Sequence, residues 1–343
     1  MFFIKICGRI FCMIFKKIAF FMIFSISLLA FSEEPKTQNK TDEEEENPLS
    51  LTLKIDSIYY LKSAYQSGDS HFSPLSSAYD GIVARTSINA AYKIKTPLGT
   101  HFLLKDANAI LGAGLELSPV SLRALSSVYF TPLPFLELGA GGSAGTGWEI
   151  WGKYNGMAQF DFSKIDYKKM RPFRDWHFDA WAQATFQMDS GTLIEGDWTH
   201  VLFLATAKIF YERLTGAYNS LWEWQATKHY TNGLQHYQSL LLGYQLPLKL
   251  KIAGVMAEWT GHFDSNDYGK IANTYDGDFS AISISPFVRV QFTKKDRLDA
   301  LFRISSRRSF LENHDDEKIE PTLTKSGREW FFDQFVFSFS HQF

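Results

Sequence analysis

Cysteine is nearly absent: of 343 residues only Cys7 and Cys12 are cysteines, both within the first dozen. The body of the chain therefore offers no disulfide framework, no cysteine-held zinc and no thiol nucleophile. An excess of one charge is missing too, with 35 Lys and Arg against 37 Asp and Glu and a formal net charge of -2. That balance provides no basic surface for nucleic acid. After residue 32 no apolar run is long enough for a spanning helix. No histidine or carboxylate cluster has useful metal-ligand spacing, so no metal or cofactor is expected. What the chain does have is 45% hydrophobic and 16% aromatic residues with 21% charged, too apolar for a disordered protein.

Residues 1–32 begin with Lys5, Arg9, Lys16 and Lys17, run through an apolar stretch from Ile18 to Leu29 and end Ala30-Phe31-Ser32. This is the layout of a secretory signal peptide cut before Glu33, and it implies export through the Sec pathway. Removing it leaves 31 basic and 37 acidic residues and no cysteine. Residues 33–47 hold no large apolar side chain and four consecutive glutamates, Glu43 to Glu46, which reads as a disordered acidic leader.

From residue 48 onward the dominant signal is alternation. In Leu49-Ser50-Leu51-Thr52-Leu53-Lys54-Ile55-Asp56 each odd position is aliphatic and each even one polar. On a strand the two sets lie on opposite faces. The pattern returns at 82–94, 177–188, 282–292 and 298–305. Several of these runs approach 12 residues, beyond the 5 to 6 typical of globular strands and enough for a tilted membrane crossing. With one lipid-like face and no spanning helix, the chain must close a sheet to satisfy its backbone in a membrane. Short turns at 96–99, 132–134, 189–192, 247 and 293–297 alternate with long polar or aromatic connections near 62–80, 148–173, 213–233, 264–277 and 312–327, and 118–121 is one tight turn on the long-connection side. Strands are expected near 48–61, 81–95, 101–117, 121–131, 134–147, 174–188, 200–212, 234–246, 248–263, 278–292, 297–311 and 328–343. The expected fold is all-β: an antiparallel up-and-down transmembrane β-barrel of about twelve strands over residues 48–343. An even count puts both termini on the periplasmic side. Trp148, Trp151, Trp176, Trp222, Trp224, Trp259 and Trp330 then fall near the outer strand ends, where a girdle against the lipid headgroups is expected.

The chain ends Phe335-Val336-Phe337-Ser338-Phe339-Ser340-His341-Gln342-Phe343, with aromatics at alternate positions. This resembles the last strand of bacterial outer-membrane β-barrel proteins. The resemblance implies an outer-membrane location in contact with its lipid. It also implies recognition by the barrel assembly machinery through Phe335, Phe337, Phe339, His341 and Phe343, His341 departing from the usual apolar aromatic. High Phe and Lys usage, the acidic leader and Pro134-Phe135-Leu136-Glu137-Leu138-Gly139-Ala140-Gly141-Gly142 look like barrels of spirochaete outer membranes. The glycines of that segment lack the Lys-Ser/Thr ending of a phosphate loop and are read as making room for a lumen-filling side chain or loop.

Following the polar face inward, Lys54, Arg85, Lys93, Arg123, Lys208, Arg289, Arg303 and Arg307 would share the lumen with Glu116, Glu137, Asp179, Glu212 and Asp299. Such a wall suits a porin-like channel for small solutes with modest selectivity. The same charges could instead pair across a plugged interior, leaving the aromatic loops for surface interactions. A third reading comes from His229-Tyr230-Thr231-Asn232-Gly233, which is similar to the His-x-Ser-Asn-Gly stretch of outer-membrane phospholipase A. That resemblance would make His229 a base and Thr231, in the place of serine, a nucleophile for lipid hydrolysis. No downstream segment supplies an orienting Asn, and Asn232-Gly233 also reads as a turn.

Overall fold

The alternating runs become strands, as they must in a chain with no other way to carry its backbone through lipid. A computed structural model describes residues 47–152, 154–218, 220–225 and 227–343. The expected signal peptide and all but the last residue of the leader lie outside the described residues. In chain order the strands are β1 (Leu49–Ser63), β2 (His71–Phe72), β3 (Leu75–Lys95), β4 (Asn108–Ser118), β5 (Ser121–Leu133), β6 (Leu136–Gly147), β7 (Glu149–Ile150), β8 (Tyr154–Asn155), β9 (Met157–Asp161) and β10 (Asp166–Lys169). They continue as β11 (His177–Asp189), β12 (Val201–Leu214), β13 (Trp222–Trp224), β14 (Thr227–Tyr230), β15 (Gly233–Gln245), β16 (Leu250–His262), β17 (Ala281–Gln291), β18 (Asp296–Phe310) and β19 (Lys325–Gln342).

Twelve of these, β1, β3 to β6, β11, β12 and β15 to β19, pair antiparallel in sequence, and β19 pairs back to β1. The closing seam runs from Thr52 opposite Gln342 to Tyr60 opposite Gln334. The twelve strands are 11 to 21 residues long, long enough to cross a bilayer at a tilt. Closure leaves no unpaired edge, which a sheet in lipid requires. Each expected strand is present. The main displacement is at β4, which starts at Asn108 instead of 101. Residues 101–105 wind into a turn, the Leu104 and Lys105 amides both donating to the His101 carbonyl, 2.8 and 3.0 Å.

The two faces separate as the period-two pattern demands. Ile88, Leu115, Val128, Leu138, Phe186, Ile209, Leu242, Val255, Ile284 and Phe337 stand exposed on the outside, while their neighbours point inward and are mostly covered. An exposed apolar band running around the whole wall is the surface of a transmembrane barrel. In β19 the register slips between Gln334 and Phe332, so that Asp333 and Gln334 are consecutively buried. This is a β-bulge, and it brings Asp333 within 2.6 Å of the Ser305 hydroxyl, which donates to it.

At the end of the barrel opposite the termini, the far end, the long connections form structure of their own. A four-stranded sheet of order β10-β9-β13-β14 is built from the two connections 148–176 and 215–232. Its residues Ala158, Phe160, Tyr167 and Leu221 pack against Ile271, Tyr275, Phe310 and Leu323 of neighbouring connections and strand ends. Long loops that carry their own apolar side chains have something to bury, and here they bury it on one another.

Candidate functional site

The far mouth is held shut by contacts between the loop sheet and inward-facing wall residues. Trp224, at the end of β13, stacks on His177 with ring centroids 4.5 Å apart and an 18° interplanar angle. Next to it, Gln225 has a left-handed backbone, φ 50°. Its side-chain amide donates to Ser121 Oγ at 2.6 Å and to Glu116 Oε1 at 3.2 Å. Glycine on the wall makes this approach possible. A Cβ at Gly145 would lie 2.9 Å from the Trp224 ring, and one at Gly147 would lie 2.5 Å from the Gly156 carbonyl carbon. Lower in the lumen a Cβ at Gly141 would lie 2.6 Å from the Trp181 ring and 2.4 Å from the Ser126 carbonyl. The glycine run of β6 is thus the wall against which large side chains and a loop fit, as its sequence suggests.

Behind this lock the loop sheet is tied to residues 317–322 by ionisable groups. Lys228 Nζ lies 3.0 Å from Glu317 Oε2, and Lys318 pairs with Asp166 at 2.5 Å. Burial pushes the Glu223 carboxyl up to about 7, against the pull of Lys228. Burial likewise raises Glu320 well above the ordinary carboxylate range, with Glu317 adding to the rise. It drives the His229 imidazole down to about 3, with the Lys228 charge acting in the same direction. The neutral ring donates from Nε2 to the Glu317 carbonyl at 3.0 Å and accepts from the Tyr167 hydroxyl on Nδ1 at 2.8 Å.

His229 and Thr231 are not set as a base beside its nucleophile. Both His229 nitrogens are engaged, and Thr231 Oγ1 donates to the Asp267 carbonyl at 2.6 Å. Neither group serves the other, and both are buried within the mouth. The expected tryptophan girdle needs a correction as well. Trp222 and Trp224 are 0% and 1% exposed and face the loop sheet and His177, whereas Trp151 is 68% exposed. The Trp222-Glu223-Trp224 stretch pairs with β9, which offers it a partner inside the mouth that lipid does not.

The expected lumen residues lie on the inward face of the barrel strands, and many are paired. Arg85 reaches Asp56 at 3.3 Å, with Lys54 3.2 Å from the same carboxylate. Arg289 forms a bidentate pair with Asp299, 2.6 and 3.1 Å. Arg303, fully buried, meets Glu258 at 2.7 Å, and Glu258 also accepts from the Tyr237 and Ser283 hydroxyls at 2.8 and 3.0 Å. Arg123 lies 3.8 Å from Glu116, and Glu212 accepts from Gln235 at 3.1 Å. Asp179 accepts from Ser143. Glu137 is buried near the end that carries the termini, opposite Thr185, and Lys93 is half-buried near the same end. Arg307 sits at the far mouth, paired with Glu329 and donating to the Ala64 carbonyl, so it pins the connection after β1. Lys208 differs from these. Its ammonium lies over the Trp181 and Phe210 rings, 4.9 and 5.4 Å from their centroids.

Asp56, Glu258 and Asp333 complete these contacts and are not among the five acidic residues expected in the lumen. Asp56 and Glu258 stand at inward positions of alternating runs, so the face assignment already contains them. Asp333 does not, because the bulge reverses its face.

The inward face is uneven around the barrel. From β12 through β15 to β19 and on to β1 it carries a continuous apolar cluster, Leu204, Leu241, Met256, Phe287, Leu301, Val336 and Ile58 among it, all nearly buried. Along β3 to β6 and β11 it carries small and polar groups that remain half-buried, such as Asn89, Gly112, Ser127, Ser143 and Gln183.

No protein-family model matches the chain, and no curated protein matches it significantly. Among solved structures the β-domain of the Bordetella autotransporter BrkA is 10% identical with a TM-score of 0.42, over 86% of this chain and 99% of that one. An outer-membrane channel from Pseudomonas putida F1 is 10% identical with a TM-score of 0.43, over 89% and 100%. The translocator domain of the autotransporter NalP from Neisseria meningitidis is 10% identical with a TM-score of 0.38, over 88% and 90%. Likeness at this level carries no argument about activity, which rests on the geometry of this chain.

Proposed function

We propose that this protein is a bacterial outer-membrane β-barrel that passes small solutes, with its extracellular mouth, the far end, closed in the state described here by the loop sheet. The observation that carries the reading is the inward face itself. A lumen that served only to brace the wall would be filled on every side, yet β3 to β6 and β11 present small and polar groups that are only half-buried. The outer membrane is the bilayer that suits a closed barrel with a secretory signal, and β19 with its outward aromatics is the strand the assembly machinery would receive. A plugged barrel without a pathway is the competing reading, and the Trp224–Gln225 lock favours it to the extent that the mouth never opens.

The test is a planar-bilayer recording of folded, heat-modifiable protein beside the Gln225→Ala variant. Discrete current steps in either support the channel. Silence from both, with the barrel demonstrably folded, overturns it.

A further inference from the structure

We propose that the solute path is an off-centre polar strip along β3 to β6 and β11, and that Lys208 on its edge gives it a preference for small anions such as carboxylates and phosphate esters. This rests on the channel reading above and adds a route and a substrate class to it.

The route follows from which inward side chains are covered. Between β12 and β1 the lumen is occupied by the apolar cluster, in which Leu204 is 4%, Met256 3% and Ile58 5% exposed. Side chains packed this closely leave no passage between them. On the opposite arc Gly112, Gly114, Ser127 and Ser143 replace the bulky groups, beside Trp181 and Tyr129, which pack over Gly141 and Gly139. Small residues facing a wall of large ones set an opening to one side of the axis. The strip extends toward the end bearing the termini at Lys93, Thr131 and Gln187, all half-buried. At the other end it stops under Trp224 and Gln225, where Glu116, Ser121 and Gly145 are covered.

The bias follows from which basic groups of the lumen are neutralised, and it works against Glu137, Asp179 and Glu212, whose polar contacts are Ser143 for Asp179 and Gln235 for Glu212. Arg85, Arg123, Arg289, Arg303 and Lys54 each have a carboxylate within 4.0 Å. Lys208 stands opposite Gln183 in the register of β11 and β12, at the middle of its strand, and is half-buried at the border between the apolar sector and the strip. Its nearest contacts are the aromatic faces of Trp181 and Phe210, and the Asp179 and Glu212 carboxylates act on it from beyond ion-pair distance. A passing anion about 7 Å away in water is concentrated about threefold by one such charge.

Two measurements on the full chain, with Cys7 and Cys12 replaced by serine, test route and preference separately. In the first, single cysteines at Ser127, Gln183, Leu241 and Met256 are exposed to a charged thiol reagent in folded, membrane-inserted protein. Labelling at Ser127 and Gln183 with protection at Leu241 and Met256 is expected. Protection at all four, or faster labelling at Leu241 and Met256, overturns the route. Because labelling needs no current, a labelled strip in a silent barrel would overturn the channel reading, and the solute path with it, while showing the strip to be open to water. In the second, reversal potentials are recorded in a salt gradient. Relative to the wild type, Lys208→Met should lower the anion-to-cation ratio about threefold, and Lys208→Glu should lower it further toward cations. Clear currents whose selectivity is untouched by either substitution overturn the role of Lys208.

Discussion

Replacing Gln225 with alanine should open the far mouth. The side-chain amide makes two bonds to the barrel wall, to Ser121 Oγ at 2.6 Å and Glu116 Oε1 at 3.2 Å. A bond to a carboxylate is worth about 1.5–3 kcal/mol and a neutral one about 0.5–1.5 kcal/mol. Neither acceptor is abandoned, since Ser121 keeps the Ser118 hydroxyl at 2.7 Å and Glu116 keeps Arg123 at 3.8 Å. The lower part of the range therefore applies, about 2 kcal/mol. That is about a 30-fold change in the ratio of closed to open mouths. Alanine retains the left-handed backbone cost that Gln225 already bears, so the change isolates the side chain. Gln225→Glu should go further, because it sets a second carboxylate beside Glu116. Open probability in single-channel records is the readout, with heat-modifiable migration as the check on folding. Equal open probability in wild type and both variants would mean that the Trp224–Gln225 contact does not control the mouth, and the lock would have to be sought elsewhere.

Burial raises Glu223 to about 7, so its cost to the folded mouth is absent below about pH 4.5, grows as pH rises and is complete above pH 7. Glu223→Gln should stabilise the loop sheet by up to about 3 kcal/mol at pH 8 and by almost nothing at pH 4. Protease cleavage of the connections, measured across that range, reads this difference, and parallel pH profiles would refute it. Arg303→Met leaves Glu258 buried without its partner, although Tyr237 and Ser283 still donate to it, so a loss of about 3–5 kcal/mol in barrel stability is expected in thermal unfolding. Gly141→Val should reduce the yield of folded barrel, since its Cβ would lie 2.4 Å from the Ser126 carbonyl, which cannot move aside as a side chain could. Removing Phe343, whose amide donates to the Leu51 carbonyl at 3.0 Å, should slow assembly in cells more than it lowers the stability of the assembled protein. An equal loss of both would argue against a recognition role.

The wall was legible in the sequence because lipid imposes a simple rule. A strand with one face in hydrocarbon must alternate, and each of the twelve does so strongly enough to be counted. Boundaries were less legible where local hydrogen bonding outweighs alternation, as at residues 101–105, or where a bulge at Asp333 changes the face of a side chain. The loop sheet was missed for a different reason. Strands such as Met157–Asp161 and Trp222–Trp224 are only 5 and 3 residues long, too short to show a period, and their pairing joins segments about sixty positions apart. His229 shows the cost of reading a short motif by itself. Its neighbours in sequence suggest a base beside a hydroxyl, while its neighbours in space are Tyr167 and the Glu317 carbonyl.

The division of the lumen, by contrast, was written in the sequence as an apparent flaw. Val83, Phe287 and Leu301 interrupt the polar sets of their strands, where a fully wet lumen would have polar residues. The barrel places Phe287 and Leu301 in the inner apolar cluster and Val83 against it. The interruptions occur on β17 and β18 and, at the border with the strip, on β3, with Ile58 and Val336 between them on β1 and β19, so they gather on one side of the wall. On β5 and β6 the corresponding departures go the other way, to serine and glycine. Bulk on one arc and its removal on the other are two halves of one constraint, because a lumen wide enough for twelve strands must be partly filled to stay ordered and partly cleared to conduct. A substitution that exchanges them locally, Leu241→Ser with Ser127→Leu, would keep the volume and move the gap. If the strip is the path, such a variant should fold and conduct poorly.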